Sequence, residues 1–291
     1  MTVFYRRMPR FDYLRPRSLE EALAALAEDG TAKDRAYAGG TDVLPRLKAR
    51  VVKAPPRVID LKALVELDYL DWNPERGLRI GALATVRDAA SSPRTRQSYA
   101  ALARGACEIA ANQIRNRATV VGNICSALPS ADMAPSLLVH DAKIVCIGSG
   151  GERTLEPGEF WRGPGETALA AGELVKEIVL PPPQPGERSV YLKLARRATL
   201  ALVGVAASVV LEGGAVRKIR IGLGSAGPVP VRAASAETAL LGQKLTPEAI
   251  AHAARAAAEG ARTRSSHRAS GEYRRMMIEV LTRRALTALA S

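Results

Sequence analysis

The sequence predicts an α+β fold in which helices and antiparallel strands pack as two units. Gly213 and Gly214 separate apolar runs at residues 202–211 and 216–223, which is the signal of a two-residue hairpin. Helical patterns follow this hairpin, so the C-terminal third is predicted to be a small antiparallel sheet covered by helices. The 291 residues suit two packed units, although one large domain is also compatible with this length.

The first helix is predicted from residue 19 by a capping box. The Ser18 hydroxyl can accept a hydrogen bond from the Glu21 amide, while the Glu21 carboxylate reaches back to the preceding chain. Gly30 suits the position just past the end of this helix. The helix carries one apolar stripe, formed by Leu19, Leu23 and Leu26.

Strands, a helix and a proline cluster are predicted in the middle of the chain. Residues 57–61 and 78–83 are predicted strands, and residues 137–147 are predicted to be a helix end that runs into a strand. The prolines of residues 181–186 remove backbone donors, which makes this segment the best candidate domain boundary. A helix is predicted over residues 99–111, with inward side chains at Tyr99, Leu102, Ala106, Ile109 and Ala110.

Beyond the proline cluster, residues 190–194 are predicted to add a third strand to the hairpin sheet. Thr246 precedes Pro247, which suits the first position of a helix, and Gly260 suits the end of that helix. The last helix is predicted to face the core through apolar side chains at helical spacing, namely Tyr273, Met276, Met277, Val280 and Leu281.

The composition is that of a globular protein with an excess of positive charge. Hydrophobic residues make up 47% and the net charge is +13, but aromatic residues are only 4% and no zinc finger or RNA-binding signature occurs. Nucleic-acid binding is therefore not favoured. Residues 251–291 carry eight Arg against three Glu, which indicates a solvated helical face. The alternatives are a surface that faces a partner and a charge that attracts anionic cofactors.

Three cysteines, Cys107, Cys125 and Cys146, are widely separated and form no CxxC pair. An iron–sulfur cluster needs about four thiolates, so this chain alone is not expected to hold one, and no other metal site is predicted. The longest charge-free apolar stretch, residues 198–211, is shorter than the roughly 20 residues of a membrane span. The N-terminal residues lack the apolar core of a signal peptide, and a cytoplasmic location is expected.

Two glycine loops carry the chemistry that the sequence suggests. The first glycine loop covers residues 37–44 and contains Gly39 and Gly40, and the second covers residues 119–123 and contains Gly122. Glycine lets backbone N–H groups approach an anion without a Cβ atom in the way, which suits a pyrophosphate. A plain turn explains either loop taken singly, and neither fits the Rossmann or P-loop pattern.

The wider pattern resembles a known family over essentially the whole chain. The segments QIRNRATVVGNIC (residues 113–125) and SALPSADMAP (residues 126–135) resemble the signature of the FAD-binding medium subunits of molybdenum hydroxylases, the group of xanthine dehydrogenase and aerobic carbon monoxide dehydrogenase. AGGTDVL (residues 38–44) resembles the first pyrophosphate loop of that family. The segments at 191–197, 221–226 and 272–275 resemble its later landmarks.

The resemblance implies a vanillyl-alcohol-oxidase (PCMH)-type FAD-binding domain of two α+β subdomains, followed by a C-terminal domain with a small antiparallel sheet and helices. The corresponding boundaries are residues 1–180 for the FAD-binding domain, with subdomains of about 1–57 and 58–180, and residues 187–291 for the C-terminal domain, which resembles the carbon monoxide dehydrogenase flavoprotein type.

The resemblance also implies non-covalent FAD and a set of residues that bind it. The two glycine loops would hold the diphosphate, Asp132 a ribityl or ribose hydroxyl, and Lys193 would lie near the flavin, while Ile109 and Val175 would make apolar contacts. The residues expected to bind the cofactor are Tyr37, Ala38, Gly39, Gly40, Thr41, Asp42, Val43, Leu44, Ile109, Thr119, Val120, Val121, Gly122, Asn123, Asp132, Val175 and Lys193.

Three of these positions leave alternatives open. The family usually has two adjacent glycines in the second loop, and Val121 takes the place of the first. Because a β-branched residue disfavours positive φ, we expect an extended backbone there; the alternative is a weakened contact with the pyrophosphate. Asp132 can also serve as a helix N-cap before Pro135, and Lys193 can also be an exposed strand residue.

The function implied by the resemblance is electron transfer within an oxidoreductase complex. The FAD of this chain would accept electrons from the [2Fe–2S] clusters of a small partner subunit and pass them to an external acceptor, while a large partner subunit holds the molybdenum cofactor. No catalytic acid or base is then needed here, and a dimer of heterotrimers is implied. The alternative is a stand-alone FAD-dependent oxidase or dehydrogenase that acts directly on a small substrate.

Overall fold

The structure, a computed structural model, describes residues 7–28, 35–196 and 200–290. The N-terminal part is a three-stranded parallel sheet of order β1-β3-β2. Tyr13 of β1 pairs with Val58 of β3, and Arg35 of β2 pairs with the same Val58 from the other side. Its elements are β1 (Asp12–Leu14), α1 (Leu19–Glu28), β2 (Arg35–Tyr37), α2 (Val43–Lys48) and β3 (Arg57–Asp60).

The first helix begins as the capping box predicts. The Glu21 amide donates to the Ser18 hydroxyl at 3.1 Å, and the Glu21 carboxylate accepts from the amide of Arg17 at 2.7 Å. Leu26 is buried, and Leu19 and Leu23 pack against the same core, so the predicted stripe is confirmed. Gly30 lies outside the described residues.

A five-stranded antiparallel sheet of order β4-β5-β10-β6-β7 forms the centre of the molecule. Its strands are β4 (Leu70–Asn73), β5 (Gly77–Gly81), β6 (Lys143–Gly148), β7 (Gly151–Leu155) and β10 (Leu174–Leu180). Most of the helices inserted between β5 and β6 are short: α3 (Val86–Ser91), α4 (Pro93–Ser98), α5 (Ala100–Cys107), α6 (Asn112–Arg115), α7 (Val120–Cys125) and α8 (Met133–Val139). A small excursion between β7 and β10 consists of α9 (Pro157–Phe160), β8 (Trp161–Gly163) and β9 (Glu166–Thr167).

The helix predicted over residues 99–111 is shorter than expected, because α5 ends at Cys107. Tyr99, Leu102, Ala106 and Ile109 are buried as predicted, but Ala110 is exposed and has a φ of +40°, so the inward placement of Ala110 was wrong. The guanidinium of Arg115 accounts for the early end, since it donates to the carbonyls of Cys107, Ile109 and Ala110. These carbonyls are thereby satisfied without a further helical turn.

The C-terminal part is a four-stranded antiparallel sheet covered by three helices. The sheet has the order β11-β12-β13-β14, and Gly213 and Gly214 turn β12 into β13 with φ values of +57° and +80°, which confirms the predicted hairpin. The elements are β11 (Arg188–Ala195), β12 (Ala201–Glu212), β13 (Ala215–Gly224), β14 (Val231–Arg232), α10 (Ala234–Leu240), α11 (Pro247–Glu259) and α12 (Gly271–Ala290). None of the described helices is long and apolar enough to cross a membrane.

The last helix buries a different face from the one predicted. Tyr273 and Met276 are 39% and 52% exposed, and only Leu281 of the predicted inner residues is fully buried. The buried face consists of Arg274, Ile278, Leu281, Thr282, Ala285, Leu286 and Leu289. Apolar residues occur on both faces of the N-terminal half of α12, so helical spacing alone does not identify the buried face. Packing against the sheet determines it.

Candidate functional site

The first glycine loop connects β2 to α2 and needs both of its glycines. A Cβ atom on Gly39 would lie 1.9 Å from the carbonyl oxygen of Arg117, so the two chain segments touch through their backbones. Gly40 has a φ of +72°, and a Cβ atom there would lie 2.4 Å from the ring of Tyr37. Gly39 is therefore required by the close approach of the two backbones. Gly40 is required both by its positive φ and by the lack of space for a side chain.

Backbone donors of this loop are free to bind a ligand. Among the described residues, no acceptor pairs with the N–H groups of residues 39–42. The Asp42 carboxylate does not cap α2 but pairs with Arg46 at 3.3 Å. Because these loop residues are partly exposed, their amides are accessible to an anion.

The second glycine loop begins helix α7. Thr119 is the N-cap, and its hydroxyl accepts from the Gly122 amide at 2.9 Å. Gly122 is exposed. A Cβ atom added to it would lie 2.7 Å from the Thr119 hydroxyl oxygen. Asn123 accepts from the Met133 amide at 3.3 Å and so ties the loop to the start of α8.

Val121 is helical and buried, and the expectation of an extended backbone at this position was wrong. The residue lies in the first turn of α7, where φ is negative and a valine side chain causes no strain. Its side chain packs into the same core as Val120 and Ile124. The valine therefore fits this loop without needing the positive φ that a glycine would allow.

Tertiary contacts bring the two loops together although about 80 residues separate them in the sequence. The Val86 amide donates to the Ala118 carbonyl at 2.8 Å, and the Val120 amide donates to the Ala84 carbonyl at 3.1 Å. These bonds fix the second loop beside the end of β5, and Gly39 abuts it at Arg117. The result is a single region that contains the exposed Gly122 of the second loop and the amides of residues 39–42, which have no acceptor among the described residues.

Lys62 supplies positive charge beside the first loop, and no sequence motif identified it. Its ammonium lies 3.8 Å from the centre of the Tyr37 ring, 3.4 Å from the Ala38 carbonyl oxygen and 2.7 Å from the Asp60 carboxylate. Burial tends to raise the pKa of Asp60, but hydrogen bonds from Lys62 and Tyr13 outweigh it and lower that pKa. Asp60 is therefore ionised and holds Lys62 in place.

Asp132 and Lys193 form a buried ion pair between the start of α8 and strand β11. The Lys193 ammonium lies 2.9 Å from Asp132 Oδ2, and the two side chains are only 4% and 7% exposed. The ammonium also donates to the Glu108 carbonyl at 3.0 Å. Lys193 is therefore not an exposed strand residue, and the Asp132 side chain, although at the N-cap position, caps no helix amide.

Tyr191 completes this pair and was not identified from the sequence. Its hydroxyl donates to Asp132 Oδ1 at 2.8 Å, and the ring is 1% exposed. Burial raises the pKa of Asp132, while Lys193 and Tyr191 oppose that rise. Burial and the neighbouring carboxylate raise the pKa of Tyr191 well above its usual value, so the phenol remains a donor.

The two apolar positions of the expected site are buried in one core. Ile109 is 8% exposed and follows Glu108, whose carbonyl holds Lys193. Val175 is 3% exposed and lies in β10 at an irregularity of its pairing with β6. The structure thus places Ile109 next to Glu108, a residue that contacts Lys193, and Val175 in the central sheet.

Comparisons with known proteins agree over the whole chain. The model of the FAD binding domain in molybdopterin dehydrogenase matches residues 9–183, and that of the CO dehydrogenase flavoprotein C-terminal domain matches residues 189–289. The glyceraldehyde dehydrogenase medium chain of Sulfolobus acidocaldarius is 33% identical over 97% of this chain and 99% of that protein. The carbon monoxide dehydrogenase medium chain of Hydrogenophaga pseudoflava is 33% identical over 96% of this chain and 97% of that protein.

The solved structures give the same result. A carbon monoxide dehydrogenase from Hydrogenophaga pseudoflava that lacks the Mo-pyranopterin moiety of its cofactor matches with a TM-score of 0.93 and 34% identity, over 97% of this chain and 98% of that chain. Quinoline 2-oxidoreductase from Pseudomonas putida 86 matches with a TM-score of 0.90 and 29% identity, over 98% of both chains.

Proposed function

This chain belongs to the family of FAD-binding subunits of molybdopterin dehydrogenases, and we propose that it is the electron-transfer subunit of a multi-subunit molybdenum hydroxylase. The observation that carries this proposal is the meeting of two glycine loops, the first with amides that have no acceptor among the described residues, in a chain that matches the family from residue 9 to residue 289. When bound, FAD accepts electrons from iron–sulfur clusters and passes them on to an external acceptor.

The residues of the two loops fit a diphosphate. Two negative charges favour several N–H donors and tolerate no Cβ atom at close approach. Among the described residues the amides of residues 39–42 have no acceptor, and Gly39, Gly40 and the exposed Gly122 carry no Cβ atom. We therefore assign residues 37–44 and 119–123 to the diphosphate of FAD. Lys62 joins this assignment, because its ammonium holds the Ala38 carbonyl and the Tyr37 ring and adds positive charge next to the loop.

The Asp132–Lys193 pair is assigned to the flavin end of the cofactor. A carboxylate can accept from sugar hydroxyls, and Asp132 retains lone pairs beyond its bonds to Lys193 and Tyr191. The ammonium of Lys193 favours negative charge on a flavin nearby and so raises its reduction potential. Ile109 and Val175 are assigned to apolar contacts with the cofactor. The chain thus orients FAD and tunes its electrostatics, and no residue of it is assigned as an acid or base.

The partners follow from the names of the relatives. Several of these proteins are medium chains or FAD subunits of dehydrogenases. We propose that this chain assembles with a large subunit that binds the molybdenum cofactor and a small subunit that carries the [2Fe–2S] clusters, as a dimer of heterotrimers. We also propose a cytoplasmic location, which the three free cysteines support because thiols persist in a reducing compartment.

Purification from the native host with the partner chains tests this function. Stoichiometric FAD is expected on this chain, and molybdenum and iron are expected only when the large and small subunits are present, as measured by absorbance and metal analysis. A colourless chain that cannot be reconstituted with FAD would refute the proposal. Substrate-dependent bleaching of flavin in the isolated chain would instead identify a stand-alone oxidase or dehydrogenase.

A further inference from the structure

Arg274 of α12 is a buried cation that forms no ion pair with a carboxylate in the described part of the chain. Its side chain is 2% exposed, and its guanidinium donates to the carbonyls of Leu202 and Ser225 and, at 2.9 Å, to the Ser266 hydroxyl. The Nε atom has no hydrogen-bond partner in the described part of the chain, and no described carboxylate forms an ion pair with this side chain. A buried charge that lacks a counter-charge is unfavourable by several kcal/mol.

Other shielded cations of the C-terminal part are paired. Lys193 pairs with Asp132 at 2.9 Å, Lys218 with Asp141 at 3.0 Å, and Arg232 with Glu237. The common arrangement is therefore a cation matched by a carboxylate of the same chain. Arg274 has no such carboxylate among the described residues, so a counter-charge for it would come from another molecule.

The charges of two further arginines, Arg264 and Arg268, act on Arg274. The Ser266 hydroxyl that contacts Arg274 also accepts from the Arg268 amide at 3.2 Å, in the turn that leads into α12. Burial, and then the charges of Arg264 and Arg268, lower the pKa of Arg274. Residues 262–276, the arginine patch, contain five Arg and a single Glu, and no ion pair involves any of them within the ranges 7–28, 35–196 and 200–290.

The same patch exposes apolar side chains. Tyr273 is 39% exposed and Met276 is 52% exposed in the first two turns of α12. No lysine occurs in residues 262–276. Tyrosine, methionine and arginine are the residues enriched at the centres of protein interfaces, whereas lysine is depleted there.

A chain of hydrogen bonds connects the patch to the flavin end of the site. Arg274 donates to the Ser225 carbonyl, and the Ser225 amide donates to the Pro129 carbonyl at 2.7 Å. Pro129 precedes Asp132 by three residues. The patch is therefore linked through internal hydrogen bonds to the part of the fold that supports the proposed flavin site.

We propose that the arginine patch is the docking surface for an acidic region of a partner subunit. One or more carboxylates of that subunit would pair with Arg264 and Arg268 and offset the charge of Arg274, while Tyr273 and Met276 supply apolar contact. This docking surface rests on the proposed function, because that function provides the partner subunits. Residues 262–276 would then be the partner-facing surface that the arginine-rich C-terminus suggests.

Charge reversal in the native complex tests the proposal. The R264E/R268E double variant is co-expressed with the native partner subunits, and the apparent dissociation constant of the complex is measured by mass photometry on dilution. The matched control is R162E/R255E, which makes the same change in net charge at two exposed arginines of α11 and the β8 strand. The expected increase is about 100-fold or more for the patch variant, because like charges at an interface repel strongly, and less than about threefold for the control.

Two further measurements separate the possible causes. FAD content and melting temperature of the isolated chain are expected to be unchanged by R264E/R268E, and the milder R264Q/R268Q variant is expected to show a smaller weakening in the same direction. Equal weakening by patch and control variants, or none by either, would overturn the docking proposal. Salt-dependent DNA binding that R264E/R268E abolishes, with assembly unaffected, would also overturn it. Loss of FAD in the unaltered chain would refute the proposed function instead.

Discussion

Substitution of Gly39 by alanine tests the contact between the two glycine loops. The added Cβ atom would lie 1.9 Å from the Arg117 carbonyl oxygen and 2.7 Å from the Arg117 carbonyl carbon. Both neighbours are backbone atoms, so no flexible side chain can move aside. Restoring a separation of about 3 Å requires the loops to part by about 1.1 Å, the difference between 3.0 and 1.9 Å.

This displacement acts on a site that needs both loops at once. Overpacking of one methyl group costs about 1–3 kcal/mol, and the strain is relieved when the loops separate. If the FAD-bound form carries this strain, the dissociation constant of FAD rises by about 5-fold to 150-fold, since each 1.4 kcal/mol is about a factor of ten. The fold of the central sheet should change little, because the loops lie outside it.

The assay is a fluorescence titration of the FAD-free chain with FAD, combined with a melting curve. Gly150→Ala is the matched control, since a Cβ atom at Gly150 meets nothing within 4 Å and its φ is not in the left-handed region. An equal dissociation constant for Gly39→Ala and Gly150→Ala would refute the assignment of the loop contact to cofactor binding.

Three further predictions address the buried charges. Asp132→Ala leaves Lys193 buried without its counter-charge and should lower the free energy of unfolding by about 3–5 kcal/mol in urea titrations, together with weaker FAD retention; an unaltered midpoint would contradict this. Lys193→Ala should lower the flavin midpoint potential in spectroelectrochemical titrations, and an unchanged potential would remove Lys193 from the flavin site. Burial lowers the pKa of His140 to about 4, so the unfolded chain binds the extra proton first as pH falls. Up to about 3 kcal/mol of stability should therefore be lost between about pH 6.5 and pH 4, and His140→Gln should reduce the difference between urea midpoints at pH 7 and pH 5.

Local features of this protein were predictable from the sequence because their causes lie within a few residues. The capping box of Ser18 and Glu21 formed as expected, and so did the Gly213–Gly214 hairpin and the start of α11, where the Thr246 hydroxyl accepts from the Ala249 amide at 3.2 Å. The glycine loops were also visible, since Gly40 requires a positive φ. In each case the backbone conformation and the hydrogen bond involve near neighbours in the chain.

Features that depend on distant segments were not predictable in the same way. The end of α5 was set by Arg115, and the buried face of α12 was set by packing against the C-terminal sheet. Val121 was predicted to be extended because a β-branched residue disfavours positive φ, whereas helix α7 and the core beneath it determine its conformation.

The sequence by itself determined the two glycine loops, the family signature and the order of the main elements, since these depend on local backbone preferences and on residue identity. Only the tertiary structure decided that Gly39 meets Arg117, that Tyr191 and Lys193 reach Asp132 from about 60 residues away, and that Arg274 is buried with no ion pair to a carboxylate of the described residues. The physical reason is that the free energy of a buried charge or a close backbone contact depends on which distant groups the fold places beside it.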